Sequence, residues 1–190
     1  MKEKIVLSEK EIKRTCKRLG SEITKTLTEN KTNRLPILIG VMKGSLNFMM
    51  DLMKFIKTPI LTDYIELSSY NGTKSSGEII IKKDVTYNLE KRDVVIVEDV
   101  VDTGVTMRFL VKHLEKFNVG HIYICTLFNK TSLRKVDVVA DFIGKELKEN
   151  YFLMGYGFDF DQLGRNCPYV YSASKECIDN FNLFLENDKI

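Results

Sequence analysis

Residues 94 to 107 read VVIVEDVVDTGVTM. A buried-strand run, Val94 to Val97, meets Glu98 and Asp99; two more valines are followed by Asp102, Thr103 and Gly104. A strand that is apolar on both faces belongs inside a sheet covered on both sides. Met107, Leu110, Val111, Leu114 and Phe117 then mark one face of a helix. Strand, polar turn and helix form the repeating unit of an α/β sheet, in which ligands bind at the carboxyl ends of the strands. The polar turn lies at such an end.

The residues of the turn suggest its ligand. Thr103, Gly104, Val105 and Thr106 are expected to begin the helix, where unpaired N–H groups and the positive end of the helix dipole attract an anion. Glycine lets the backbone approach closely, and two threonines add hydroxyl donors, so the cradle suits a phosphate monoester. Neither G-x-x-x-x-G-K-[ST] nor G-x-G-x-x-G is present, which argues against a triphosphate or dinucleotide loop. The adjacent carboxylates accept hydrogen bonds from sugar hydroxyls and can hold Mg²⁺ directly or through water. Together the parts suit a ribose 5-phosphate. Taken singly, Glu98 and Asp99 could be solvated charges and Asp102 a helix cap; the ordered set favours a site.

The rest of the chain fits the same architecture. Ser8 with Glu11 forms a capping box ahead of Ile12, Cys16, Leu19, Ile23 and Leu27, and Asn30 to Asn33 ends that helix. PILIGVM reads as a buried strand, and SLNFMMDLMKFI reads as a helix. PILTDYIEL and GEIIIKKD are strand-like and are joined by the polar SSYNGTKSS, which is longer than a tight hairpin needs and so is either a plain connection or a lid. HIYICTLF, Val138 to Ile143, Tyr151 to Met154 and Tyr169 to Tyr171 are further strand candidates, and a helix from about Lys175 to Glu186 closes the pattern. The expected fold is a mostly parallel α/β sheet flanked by helices, with an antiparallel flap, in one domain spanning 1–190.

Composition narrows the partners only slightly. A net charge of +3 is too small to argue for nucleic acid and suits small phosphorylated molecules equally well. The N-terminal apolar patch is three residues long, too short for a usual signal peptide, and no run approaches a membrane span, so a cytoplasmic protein is expected. Cys16, Cys125, Cys167 and Cys177 form no C-x-x-C pair and read as reduced, small apolar side chains.

EDVVDTGVT resembles the phosphoribosyl pyrophosphate signature of the type I phosphoribosyltransferases. VMKGSLNF, SSYNG, LFNK and GYGFDFDQLGRN narrow the resemblance to the hypoxanthine-guanine phosphoribosyltransferases, over nearly the whole chain. The resemblance implies a small hood beside the sheet, a mobile loop on the flap, and a homodimer or homotetramer. It implies that Glu98 and Asp99 bind ribose hydroxyls and the Mg²⁺ shell, that Thr103, Gly104, Val105 and Thr106 hold the 5′-phosphate, and that Asp102 is the general base or acid near purine N7. Lys43 and Gly44 resemble the pyrophosphate loop, with a cis Met42–Lys43 bond at least when pyrophosphate is bound, and Ser69 and Tyr70 resemble the closing loop. Lys130 matches the lysine that reads purine O6, Phe152 the stacking aromatic, and Leu153 the residue giving backbone contacts. Asp159 resembles a metal-linked carboxylate and Arg165 a pyrophosphate ligand. Val105 departs from relatives that carry a polar or charged residue there, a small change if its contact is through backbone N–H.

The activity so implied is purine salvage: phosphoribosyl pyrophosphate and a 6-oxopurine base, hypoxanthine and possibly guanine, give a nucleoside monophosphate and pyrophosphate, with no nucleic acid or membrane partner. Two alternatives stand beside it. One is transfer to xanthine or another base. The other is a regulator that keeps the fold, senses phosphoribosyl pyrophosphate and binds nucleic acid; Asp102, Lys130 and Phe152, and the lack of an appended DNA-binding helix pair, argue against it.

Overall fold

The computed structural model describes residues 4–30, 32–69 and 79–188, and of Ser69 and 183–188 it describes the backbone only. Elements run β1 (Lys4–Leu7), α1 (Glu9–Glu29), β2 (Ile37–Met42), α2 (Leu46–Met53), β3 (Leu61–Ser69), β4 (Ile79–Lys83), β5 (Val94–Val101), α3 (Val105–Leu114), β6 (Ile122–Asn129), β7 (Phe142–Glu146), β8 (Leu153–Met154), β9 (Val170–Ser172) and α4 (Lys175–Asp188).

A six-stranded sheet has the order β4-β3-β2-β5-β6-β7, parallel except for the β3–β4 pair. Alternate residues of the central strands supply its two faces. Leu38, Val95 and Val97 pack with Ile12, Cys16, Leu19 and Ile23 of α1 and with Phe48 and Leu52 of α2. Ile37, Ile39, Val94 and Ile96 pack with Met107, Leu110 and Leu114 of α3. Burying both faces is what selects continuous Val and Ile in β2 and β5. The capping box forms as expected: Ser8 Oγ accepts from Glu11 N, and Ser8 N donates to Glu11 Oε2 at 2.8 Å.

Four boundaries differ from the sequence reading. β5 runs to Val101 instead of stopping at Val97, because Glu98, Val100 and Val101 still pair with Thr126, Phe128 and Asn129 of β6. Glu98 and Asp99 therefore lie on the strand, and α3 starts at Val105, with Gly104 as its left-handed cap. The strand expected over 138–143 is displaced to Phe142–Glu146, where β6 offers the pairing partner. Lys4–Leu7, read only as an apolar patch, is a strand that pairs with β9; with β8 they form a second, antiparallel sheet in the order β1-β9-β8.

The antiparallel edge is anchored by a buried carboxylate. Asp63 on β3 accepts from Lys83 Nζ on β4 at 2.8 Å, Thr86 N at 2.6 Å, Thr86 Oγ1 at 2.9 Å and Tyr64 N at 2.8 Å. Burial alone would raise its pKa, but the Lys83 ammonium and the donors of Thr86 and Tyr64 outweigh burial and hold the carboxyl down to about 2. A folded pKa below the unfolded value stabilises the native state above about pH 4, and that stabilisation is lost as pH falls toward 2. Asp63→Ala is expected to lower the unfolding free energy at pH 7 by about 2 to 3 kcal/mol. In urea titrations the gap from wild type should narrow below pH 4; a gap that does not change with pH would contradict the assignment.

Candidate active site

The carboxyl ends of β2, β5 and β6 deliver the turns that build the site. After β5, the backbone leaves the sheet through Asp102 and Thr103 and turns at Gly104 with φ +81°, a conformation favouring glycine. Val105 and Thr106 open α3, and Val105 N approaches Thr103 Oγ1 at 3.4 Å. Glu98, Val100, Val101, Asp102, Thr103, Gly104, Thr106 and Met107 line one cavity of about 70 Å³. Glu98 and the Asp102–Thr106 turn thus share a single recess.

Glu98 and Asp99 are poorly neutralised. Among the described residues Glu98 Oε2 is buried without a hydrogen-bond partner, and burial, followed by the neighbouring Asp99 charge, pushes the Glu98 pKa well up. Burial raises Asp99 to about 6, against the pull of the Val100 N–H, which it accepts at 2.8 Å, and of the Arg165 guanidinium. An adjacent carboxylate pair with an orphaned oxygen suits a divalent cation. Among the described residues no three acidic, His or Cys side chains gather into a metal cluster. These residues therefore fit Mg²⁺ as one or two carboxylates that need substrate oxygens and water to complete the shell.

β2 leads into a loop packed tightly between two others. The Met42–Lys43 peptide bond is cis. A Cβ on Gly44 would lie 2.1 Å from Asp99 Oδ2, and a Cβ on Gly157 would lie 2.2 Å from the Gly44 carbonyl oxygen. Arg165 donates from Nη1 to the Gly157 carbonyl at 2.5 Å and pairs with Asp159 at 2.8 Å, while its Nε is buried without a partner. The Asp159 carboxylate also accepts from Gln162 N at 2.8 Å. Gln162 Oε1 accepts from both Lys43 Nζ and Arg165 Nη2 at 3.3 Å. Two cations from distant parts of the chain therefore converge on one neutral oxygen. Such a pair is suited to an anion.

The third side comes from β6 and β8. Lys130, 7 % exposed, directly follows β6; its Nζ donates to the Tyr151 carbonyl at 3.0 Å and lies 4.0 Å from Asp102 Oδ2. Asp102 Oδ1 is buried without a partner among the described residues. Next to Tyr151, Phe152 is 45 % exposed and meets Phe160 edge-on, with ring centroids 6.1 Å apart, while Leu153 is buried in β8. Phe152 offers an exposed flat apolar face, one residue after the carbonyl that anchors the buried Lys130.

Of the residues singled out in the sequence, those from β2, β5, β6 and the 152–165 segment meet around this cleft. Ser69 ends β3, and Tyr70 with most of SSYNGTKSS lies outside the described residues, as does the closing loop expected there. Sequence reasoning missed Gly157, Gln162, Asn129 and Arg134. Gln162 and Gly157 stood inside GYGFDFDQLGRN, but only the fold shows that they touch the 43–44 loop.

A phosphoribosyl transferase domain model matches residues 4–161. A hypoxanthine-guanine phosphoribosyltransferase of Bacillus subtilis is 43% identical over 169 residues, covering 88% of this chain and 91% of that protein. A Staphylococcus aureus protein of the same name is 37% identical over 93% of this chain and 96% of its own length. The crystal structure of a hypoxanthine phosphoribosyltransferase from Staphylococcus aureus superposes with a TM-score of 0.84 at 37% identity, covering 91% of this chain and 92% of that one. A Trypanosoma cruzi hypoxanthine phosphoribosyl transferase gives 0.88 at 27% identity and 95% coverage of both chains. With the paired carboxylates, the Gly104 turn and the Lys130–Asp102 pair at the carboxyl ends of β5 and β6, the chain belongs to the phosphoribosyl transferase family, in its hypoxanthine-guanine phosphoribosyltransferase branch.

Proposed function

We propose that this chain, acting as one domain over 1–190, transfers the 5-phosphoribosyl group from phosphoribosyl pyrophosphate to hypoxanthine and, as the names of its relatives suggest, to guanine. The products are inosine or guanosine 5′-monophosphate and pyrophosphate. The observation that carries this reading is the Lys130–Asp102 pair, an ammonium 4.0 Å from a carboxylate beside the phosphate turn. A 6-oxopurine presents O6 and N7 on one edge, whereas adenine carries an amino group in place of O6. Lys130 can only donate, which suits O6 and leaves the adenine amino group unmatched.

In this reading Asp102 accepts the proton that leaves N7 as N9 bonds to C1′, and the C1′–O bond breaks with its electron pair going to pyrophosphate. Phe152 stacks on the base and Leu153 contacts it through its backbone. Thr103, Gly104, Val105 and Thr106 fix the 5′-phosphate, and Glu98 and Asp99 accept from the ribose hydroxyls. Lys43, Gly44 and Arg165 take the charge that grows on the leaving group, the electrostatic share of catalysis. Glu98 and Asp99, with Asp159, would hold Mg²⁺, which when bound would add to the neutralisation of pyrophosphate.

Cys16 and Cys125, buried thiols with no disulfide among the described residues, suit a reducing, cytoplasmic setting. Leu46 and Met50, half-exposed on one face of α2, suit a homodimer or homotetramer. Among the described residues no helix is long and apolar enough to cross a membrane.

Incubation with phosphoribosyl pyrophosphate, Mg²⁺ and either hypoxanthine, guanine or xanthine, followed by chromatography of the nucleotides, tests the reading. Monophosphate should form with hypoxanthine; its absence would end the proposal. Lys130→Ala is expected to lower kcat/KM for hypoxanthine by about 10- to 100-fold, the share of a hydrogen bond from a charged donor. An unchanged kcat/KM would remove Lys130 from base recognition.

A further inference from the structure

Beside the phosphate turn stands a guanidinium that has no anionic partner among the described residues. Arg134 follows the short helical turn Thr131–Leu133. Its Nη2 donates to Asn129 Oδ1, while its Nη1 is buried with no hydrogen-bond partner among the described residues. The side chain lies against Gly104: a Cβ there would sit 3.0 Å from Arg134 Cδ and 3.1 Å from Nη1. The next residue, Lys135, donates from its N–H to the Thr103 carbonyl at 2.9 Å. Asn129 is 4 % exposed, donates onward to Glu146 Oε1 at 2.8 Å, and directly precedes Lys130.

Arginine keeps its charge at any working pH, and an unmatched buried donor on a cation is costly. Such a group is sustained where an anion binds close by, because a partly buried charge acts over several ångströms with little screening. Here the nearest anion site is the phosphate cradle whose capping glycine Arg134 covers. The geometry points to Arg134 as a positioning residue for the phosphate end of the substrate. It acts through the Thr103–Gly104 turn and through its unneutralised charge, and it ties that turn to the strand end that carries Lys130. This inference rests on the transferase reading above.

The test is a KM split in the full-length protein. Arg134→Gln should raise KM for phosphoribosyl pyrophosphate and the dissociation constant of inosine 5′-monophosphate by about 10-fold or more, the scale of one lost charged hydrogen bond. KM for hypoxanthine should move by less than about 3-fold, because the base edge is read by other residues. Arg134→Lys, which keeps the charge and loses the fork, should recover much of the loss. Equal weakening at both substrates would make Arg134 a scaffold residue and overturn the inference, as would no weakening at either. If Arg134→Gln does not fold, Arg134→Lys decides: a residual loss of about 2- to 5-fold confined to the phosphorylated ligands supports the role, and a loss shared with hypoxanthine, or none at all, overturns it. A wild-type protein that forms no nucleotide would end the transferase reading instead.

Discussion

Asp102→Asn is expected to lower turnover by about 10²- to 10⁴-fold, the usual share of general acid-base catalysis, while the dissociation constant of phosphoribosyl pyrophosphate stays within about 3-fold. The geometry motivates both halves. Asp102 has one carboxylate oxygen 4.0 Å from the Lys130 ammonium and the other buried without a partner among the described residues, which leaves an oxygen to take the proton. Asparagine keeps the shape and cannot accept that proton. Thr103 to Thr106 and the Glu98–Asp99 pair, proposed to hold the 5′-phosphate and the ribose hydroxyls, are untouched by the change, so ground-state binding of the sugar substrate should persist. Stopped-flow turnover together with calorimetric binding of phosphoribosyl pyrophosphate separates the two quantities. Near-normal turnover would remove Asp102 from the mechanism.

The second large effect is expected at a residue with no side chain. Gly44→Ala would place a methyl 2.1 Å from Asp99 Oδ2 and 2.7 Å from its Cγ, closer than atoms can approach, so the carboxylate or the loop must move. Retreat of the loop is blocked, because the Gly44 carbonyl already abuts Gly157, where even a Cβ would come within 2.2 Å. Gly157 is itself held through its carbonyl by Arg165. Displacing a positioning group by about 1 Å can cost about 100-fold in rate, so kcat/KM for phosphoribosyl pyrophosphate should fall by at least about that factor. Thermal unfolding run alongside should show a change too small to explain the loss. A variant within about 3-fold of wild type would show that the Asp99–Gly44–Gly157 layering is not needed for the reaction.

These two residues also show what could be read from the sequence. The order of carboxylates, threonines and glycine after a valine strand was legible at 98–106 because strand, turn and helix are local, and their chemistry sits in consecutive residues. The helix of Ser8–Glu11 was legible for the same reason. The extent of β5 was not, since Glu98 and Asp99 stay in the strand only through pairing with β6, a contact across sequence. β1 was missed because four residues carry no periodicity of their own; its strand character comes from β9, more than 160 residues away. Lys43 and Arg165 were singled out by resemblance, but their meeting at Gln162 and the close approach of Gly157 to Gly44 depend on how the 155–165 segment folds back over the sheet. Arg134 gave no signal in the sequence because its neighbour Gly104 is thirty positions earlier and on a different element.

The central claim is that Lys130 and Asp102 read the O6 and N7 edge of a 6-oxopurine beside a phosphoribosyl cradle. The most direct test is the ratio of kcat/KM for hypoxanthine to that for adenine, measured with phosphoribosyl pyrophosphate and Mg²⁺ under identical conditions. A buried site built to donate to a carbonyl should reject the amino analogue strongly, and the account predicts a ratio of about 10⁴ in favour of hypoxanthine. Adenine transfer within about 10-fold of hypoxanthine would contradict it.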